Sequence, residues 1–135
     1  MKFLLDTNII SEFAKPRPNN KVLNWLQQHE NQCLIPSIAV SERYQGAYAQ
    51  IDPKRKAVLL DDIKCLNENY SERIANFDVK AAESWGEYVN RDCIRAKPKS
   101  WPDTQIAAIA LSRQLIIITR NVDDFPEVQT YNPYD

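Results

Sequence analysis

The run Leu-Ile-Ile-Ile at positions 115–118 limits the possible folds of this chain more than any other feature. It is short, continuous, apolar and rich in isoleucine, which is typical of a strand buried on both faces of a sheet. Similar short runs occur at Lys2–Leu5 and Cys33–Ile35, and Val128–Tyr131 is a candidate last strand. Helical spacing of apolar residues fills much of the chain between them. This alternation predicts an α/β fold with a mostly parallel sheet.

Prolines and capping residues indicate where the helices begin and end. Pro16 stops the first predicted helix, Ser37 is a candidate N-cap, and Pro53 suits a first helical turn. The predicted helices cover residues 8–14, 21–29, 36–49, 53–69 and 76–95, and a further helix starts at 100–103.

The helix predicted at 76–95 has a candidate buried stripe of four residues at helical spacing: Ala82, Trp85, Val89 and Cys93. We expect this helix and the one at 53–69 to form a hairpin that covers part of the sheet.

The composition excludes several kinds of functional site. The chain has 135 residues, which predicts a single domain spanning positions 1–135. Two glycines are too few for a Gly-rich phosphate loop, and one histidine with three scattered cysteines makes a zinc site or a disulfide framework hard to assemble. The scattered cysteines favour a reducing, cytoplasmic location. Asp6 interrupts the N-terminal apolar run, which argues against a signal peptide or a membrane span.

Acidic residues follow the predicted strands. Asp6 comes directly after the first strand, and Glu42 lies one turn into the helix after the second. Asp103 lies in the first turn of the helix that precedes the last buried strand, and Asp123 and Asp124 come shortly after that strand. Because ligands of parallel α/β sheets bind at the carboxyl ends of the strands, we expect these acids to meet at one end of the sheet.

Clustered carboxylates repel one another unless a cation neutralises them. A cluster of oxygen ligands alone suits a hard ion, Mg²⁺ or Mn²⁺, which can activate water and neutralise charge on a phosphodiester. Each acid also has a structural alternative, since Asp6 and Asp103 could be capping residues, Glu42 a solvated helix residue, and Asp123 and Asp124 turn residues. Their shared position at one sheet end favours a catalytic role.

Five short segments also occur together and in order: 4–13 (LLDTNIISEF), 41–46 (SERYQG), 102–110 (PDTQIAAIA), 118–125 (ITRNVDDF) and 131–134 (YNPY). With these segments the chain resembles a PIN-domain toxin of the VapC or FitB type along essentially its whole length. The resemblance implies a three-layer α/β/α fold around about four or five short strands. It also implies a Mg²⁺- or Mn²⁺-dependent endoribonuclease that acts on RNA such as tRNA or rRNA. Such a protein is the toxin of a type II toxin–antitoxin pair, binds a cognate antitoxin and forms homodimers.

The resemblance further implies roles for individual residues. Asp6 and Asp103 would be the main metal ligands, and Glu42 would complete the set directly or through water. The polar residues that orient these acids by hydrogen bonds would be Thr7, Asn8 and Thr119.

One position departs from part of the family. Some members carry a fourth acid directly after Thr-Arg, where this chain has Asn121, whereas others have asparagine there and an acid three residues later, as with Asp124. Asn121, Asp123 and Asp124 are all candidates to complete the site, and Asp124 is grouped with the catalytic acids. Three acidic ligands predict one well-occupied ion and weaker binding of a second.

Basic residues and one tryptophan surround Asp103 in the sequence. Arg91, Arg95, Lys97 and Lys99 form either a strip that guides phosphates or a solvated charged face, and the sequence does not decide between them. The residues expected to contact RNA are Arg95, Lys97, Lys99, Trp101 and Arg120.

Two other functions compete with a ribonuclease toxin. A PIN-like nuclease could act in RNA maturation or on DNA, although the small size without an added nucleic-acid module favours a toxin. A non-catalytic module is the second alternative, either a degenerate PIN-like domain or a receiver. A receiver needs an acidic pair after its first strand and a phospho-acceptor aspartate after its third, and that order is absent here.

Overall fold

The computed structural model describes residues 1–135 and confirms the three-layer α/β/α fold. The strands are β1 (Phe3–Leu5), β2 (Cys33–Pro36), β3 (Ile74–Ala75), β4 (Ile116–Ile118) and β5 (Thr130–Tyr131). The helices are α1 (Thr7–Glu12), α2 (Asn20–His29), α3 (Ser37–Tyr48), α4 (Pro53–Asn69), α5 (Val79–Tyr88), α6 (Asp92–Ala96) and α7 (Trp101–Arg113). None of these helices combines the length and the apolar character that crossing a membrane requires.

All five strands are parallel, in the order β3-β2-β1-β4-β5. The chain proceeds outward from β1 through β2 to β3, and then returns to the other side of β1 to form β4 and β5. Strand order therefore reverses between β1 and β4, which places the expected binding crevice at their carboxyl ends. Leu5 pairs with Ile118 at that end, so the next residues, Asp6 and Thr119, emerge side by side.

Alternation along β1 and β4 divides the core into two apolar clusters, one on each face of the sheet. Leu4 and Ile117 face one cluster, together with residues of α5, α6 and α7. Leu5 and Ile118 face the other, together with residues of α1, α2 and α4. Both faces of these strands are covered, which explains the uninterrupted apolar run in the sequence.

Two of the predicted helix starts are correct, and one is wrong by a residue. Pro53 begins α4 with Asp52 as its N-cap, and Ser100 caps α7 through a hydrogen bond from Asp103 N–H. Ser37 is not an N-cap, because Pro36 occupies that position while still paired in β2. The Ser37 hydroxyl instead accepts a hydrogen bond from Phe77 N–H, at 3.1 Å.

The single helix predicted at 76–95 is two helices, α5 and α6. Arg91 is extended at the junction, and its guanidinium forms ion pairs with Glu87 and Glu127. The predicted buried stripe is also wrong. The residues of α5 and α6 that are buried are Ala81, Tyr88 and Ile94, whereas Ala82 is exposed and Trp85, Val89 and Cys93 are partly buried.

The predicted hairpin of helices 53–69 and 76–95 does not form. Leu66 of α4 packs in the cluster with Leu5, whereas Tyr88 of α5 packs in the cluster with Leu4. The two helices therefore cover opposite faces of the sheet.

Candidate active site

Asp6 lies at the reversal point between β1 and β4 and is 5% exposed. It is the N-cap of α1, where its Oδ1 accepts a hydrogen bond from Thr7 N–H at 2.7 Å. Its Oδ2 accepts hydrogen bonds from the Thr119 hydroxyl at 2.8 Å and from the Asn8 amide at 3.3 Å. The capping role proposed as an alternative is therefore present, and the same carboxylate also faces a cavity at the end of the sheet.

Thr119 is fully buried beneath this cavity, and its hydroxyl has a fixed orientation. Its oxygen accepts hydrogen bonds from the Asn8 amide at 3.3 Å and from Asn121 N–H at 3.0 Å. A hydroxyl has two acceptor positions and one proton. Because both acceptor positions are used, the proton is directed to Asp6. Asn8 completes the network by accepting from Arg120 N–H at 3.3 Å.

Glu42 is held at the same cavity from α3. Its Oε1 accepts a hydrogen bond from the Thr7 hydroxyl at 2.8 Å. Thr7 therefore links the two acids, since its N–H binds Asp6 and its hydroxyl binds Glu42.

The cavity has a volume of about 380 Å³ and brings together four acids that are distant in sequence: Asp6, Glu42, Asp103 and Asp124. Other predicted residues that line it are Thr7, Asn8, Arg120 and Asn121. Of the three candidates to complete the site, Asn121 and Asp124 line the cavity and Asp123 does not.

Two of the acids have altered protonation. The pKa of Asp6 is raised to about 6, mainly by burial and also by the nearby charges of Asp103 and Glu42, while the hydrogen bonds from Thr119 and Thr7 oppose the increase. Burial also raises the pKa of Asp103, and the charge of Asp124 acts in the same direction. Acids with raised pKa values in one cavity are typical of a site that binds a cation or transfers protons.

The donor set of the cavity consists of oxygen atoms only, which fits Mg²⁺ or Mn²⁺ rather than a soft metal. No group of three acidic, histidine or cysteine side chains is already close enough to enclose an ion. Mg²⁺ needs no such enclosure, because it keeps several waters and is commonly bound through one or two carboxylates. The residues present therefore fit a hydrated divalent ion.

A second polar network next to this site was missed by the sequence analysis. Glu12 is 2% exposed and accepts hydrogen bonds from the Tyr134 hydroxyl, from Asn19 N–H at 2.7 Å and from Lys15 Nζ at 3.0 Å. Tyr134 and Lys15 also line the cavity. The signal was the segment Tyr131–Tyr134, which was noticed as a motif but given no role.

The predicted RNA-contacting residues are spread over a wider surface. Arg120 lines the cavity, and its guanidinium lies 4.8 Å from the centre of the Tyr134 ring. Lys99 is close enough to Asp103 for its charge to oppose the raised pKa of that acid. Arg95, Lys97 and Trp101 are exposed and do not line the cavity. Arg95 is hydrogen bonded to Asn90 at 3.1 Å.

Comparison with known proteins gives a consistent family. Toxin FitB of Neisseria gonorrhoeae is 30% identical over 135 residues, covering 97% of each chain. Ribonuclease VapC2 of Haemophilus influenzae is 29% identical over 128 residues, covering 95% of this chain and 92% of the relative. The crystal structure of FitAcB from Neisseria gonorrhoeae superimposes with a TM-score of 0.87 at 29% identity, covering 98% of each chain. Residues 3–130 match the PIN domain, and the chain therefore belongs to the PIN domain family.

Proposed function

We propose that this chain is a PIN-domain endoribonuclease that hydrolyses RNA phosphodiesters as the toxin of a type II toxin–antitoxin pair. The observation that carries the proposal is the meeting of Asp6, Glu42, Asp103 and Asp124 around one cavity. Relatives named ribonuclease and toxin, which match almost the whole chain, support the same function.

We further propose that the activity depends on Mg²⁺ or Mn²⁺. Asp6 and Asp103 would hold the ion, with Glu42 binding it directly or through water. A bound divalent ion supplies charge neutralisation at the phosphodiester and activation of water. The oxygen-only donor set and the raised pKa values of Asp6 and Asp103 support a site that favours a cation.

The chain's own residues position these acids. The Thr119 proton and the Thr7 N–H fix both oxygens of Asp6, and the Thr7 hydroxyl fixes Glu42. Asn121 and Asp124 border the same cavity, where either could orient a water beside the phosphate. Arg120, held against the Tyr134 ring, is placed to contact the negative charge of the RNA backbone.

The proposal includes partners and a location. Solved neighbours at 29% identity are FitAcB from Neisseria gonorrhoeae and FitAB bound to a DNA fragment, and the relative FitB is named a toxin. We expect this chain to bind a cognate antitoxin, to form a homodimer, to act in the cytoplasm on tRNA or rRNA, and to function as a single domain over residues 1–135.

The test uses full-length protein purified free of antitoxin and incubated with total tRNA and rRNA in Mg²⁺, Mn²⁺ or EDTA. We expect discrete cleavage that requires the metal, is lost in Asp6→Asn and is strongly reduced in Asp124→Asn. Asp123→Asn is the matched control, because this neighbour of Asp124 is exposed and lies outside the cavity. Cleavage in EDTA, or full activity of Asp6→Asn, would contradict the proposed site.

The number of ions is tested separately by calorimetry with Mn²⁺. The three predicted ligands favour one well-occupied ion; two tight ions would refute that prediction and indicate a fourth acidic ligand, for which Asp124 is the candidate.

A further inference from the structure

Trp101 is an exposed aromatic residue in the first turn of α7, the helix turn that also carries Asp103. It is the first residue of α7, two positions before Asp103, and 65% of its surface is exposed. The other two tryptophans, Trp25 and Trp85, are partly buried. The Trp101 ring is therefore accessible to a ligand at the end of α7 that carries Asp103.

Contacts with Trp85 and Thr104 fix the position of the Trp101 ring. Its centroid lies 4.8 Å from that of Trp85, with the two planes tilted by 33°. Trp85 Nε1 donates a hydrogen bond to the Thr104 hydroxyl at 3.0 Å, and that hydroxyl donates to the Trp101 carbonyl at 3.0 Å. Thr104 is buried, so its hydroxyl links both tryptophans to the buried face of α7.

The charges around Trp101 favour an anionic, base-carrying ligand. Lys97 and Lys99 lie in the segment that leads into α7, and the charge of Lys99 reaches Asp103. An exposed aromatic ring with two lysines just before it in the chain, at the helix end that brings Asp103 to the cavity, matches a nucleic acid strand whose phosphates and bases are both accessible. Stacking on an aromatic side chain requires an unpaired base.

We propose that Trp101 is a stacking platform for an unpaired RNA base next to the cleaved phosphodiester, with Trp85 and Thr104 as the positioning residues that hold its ring. This inference rests on the proposed ribonuclease function, since the RNA strand must enter the acidic cavity. Stacking selects unpaired segments with little dependence on sequence, so the platform would favour cleavage in loops over helices.

Binding is measured by fluorescence anisotropy with a labelled single-stranded RNA, using Asp6→Asn protein to prevent cleavage. Adding Trp101→Ala should weaken binding about tenfold, and adding Trp101→Phe should weaken it much less, because a ring remains. Adding Trp85→Phe, which removes the hydrogen bond to Thr104, should give an intermediate loss. Tyr48→Ala is the matched control, because Tyr48 is an aromatic residue of 64% exposure on α3 and does not line the cavity.

A second measurement separates stacking from charge. An RNA with one abasic position should lose affinity for the Trp101-containing protein and should bind the Trp101→Ala protein without further loss. Circular dichroism melting confirms that each variant is folded.

The inference is overturned if Trp101→Ala binds the RNA as well as its parent, or if it weakens binding of a partner protein and leaves RNA binding unchanged. Failure of the proposed function is a different result. In that case the protein with intact acids cleaves no RNA in any metal, while Trp101 still contributes to RNA binding.

Discussion

Asp6 and Glu12 are two buried carboxylates at opposite ends of α1, and their environments are opposite. They are 5% and 2% exposed. Glu12 is bonded to Tyr134, Asn19 and Lys15, and the hydrogen bond from the Tyr134 hydroxyl is the main cause of its lowered pKa. Asp6 is bonded to a hydroxyl, an amide and a backbone N–H, and burial raises its pKa to about 6.

The difference distinguishes a structural acid, Glu12, from Asp6, which we propose is functional. Glu12 forms an ion pair with Lys15 and accepts hydrogen bonds from two further donors. Asp6 has no cation among its hydrogen-bonding partners, and its neighbours Asp103 and Glu42 add charge of the same sign. Since an uncompensated buried charge lowers stability, the Asp6 site gains most from a bound cation. Replacing Asp6 should therefore mainly lower activity, whereas replacing Glu12 should mainly lower stability.

The largest expected difference is in RNA cleavage. Asp6→Asn should reduce the rate at least about a thousandfold, because it removes a charged group that acts on the reacting centre. Glu12→Gln makes the same chemical change in the other buried acid, and at temperatures where the protein is folded it should retain cleavage within about fivefold. The check is the initial cleavage rate of both variants on one RNA. Comparable losses in the two variants would remove the distinction.

The next effect is on the free energy of unfolding, where the roles reverse. Glu12→Gln should destabilise the protein by about 2–3 kcal/mol at pH 7, because Lys15 and the other donors lose a charged acceptor. The pKa of Glu12 is lowered in the folded state, so its contribution is present above its unfolded pKa and is lost as pH falls through the folded value. Urea unfolding of the parent and of Glu12→Gln at pH 7 and pH 3 measures the destabilisation and its dependence on pH. A difference that persists unchanged at pH 3 would show that packing, not charge, is the cause.

The sequence predicted those elements whose signals are local. The two ends of α4 are marked by Asp52-Pro53 at the start and by the end of the apolar spacing at Asn69. Asp6, Glu42 and Asp124 were identified because they come shortly after strands of a parallel sheet, and Asp103 because it lies in the first turn of the helix before the last buried strand.

Features that depend on tertiary contacts were not predictable in this way. β3 has two residues, Ile74 and Ala75, which is too short for any periodic pattern. The break between α5 and α6 lies at Arg91, whose guanidinium also contacts Glu127, 36 residues away. Glu12 was not identified from the sequence, because Tyr134, its main partner, lies at the other end of the chain.

A smaller effect is expected for the stability of metal-free Asp6→Asn. The folded pKa of Asp6, about 6, lies above its ordinary value of 3.8, so the folded state binds the proton more tightly. Its contribution to stability is therefore full below pH 3.8 and is lost as pH rises through 6. In EDTA, Asp6→Asn should be more stable than the parent by about 2 kcal/mol at pH 8 and equally stable near pH 3.5. Thermal melts at both pH values provide the measurement. Mg²⁺ should raise the melting temperature of the parent and not of the variant, and the opposite order would contradict a cation site at Asp6.

The smallest expected effect concerns the orientation of Asp6 by Thr119. Thr119→Val removes the hydroxyl proton that opposes the raised pKa of Asp6, so the carboxyl should remain protonated to higher pH. The rate of cleavage should then fall more at pH 6 than at pH 8, by about tenfold at the lower value, whereas Thr119→Ser keeps the hydroxyl and should follow the parent. Because valine also leaves the Asn8 amide and Asn121 N–H without their acceptor, a general loss of structure would lower the rate equally at all pH values. A pH profile that changes in height but not in shape would therefore assign Thr119 to the packing of the loop after β4, and a profile displaced to higher pH would assign it to the charge of Asp6.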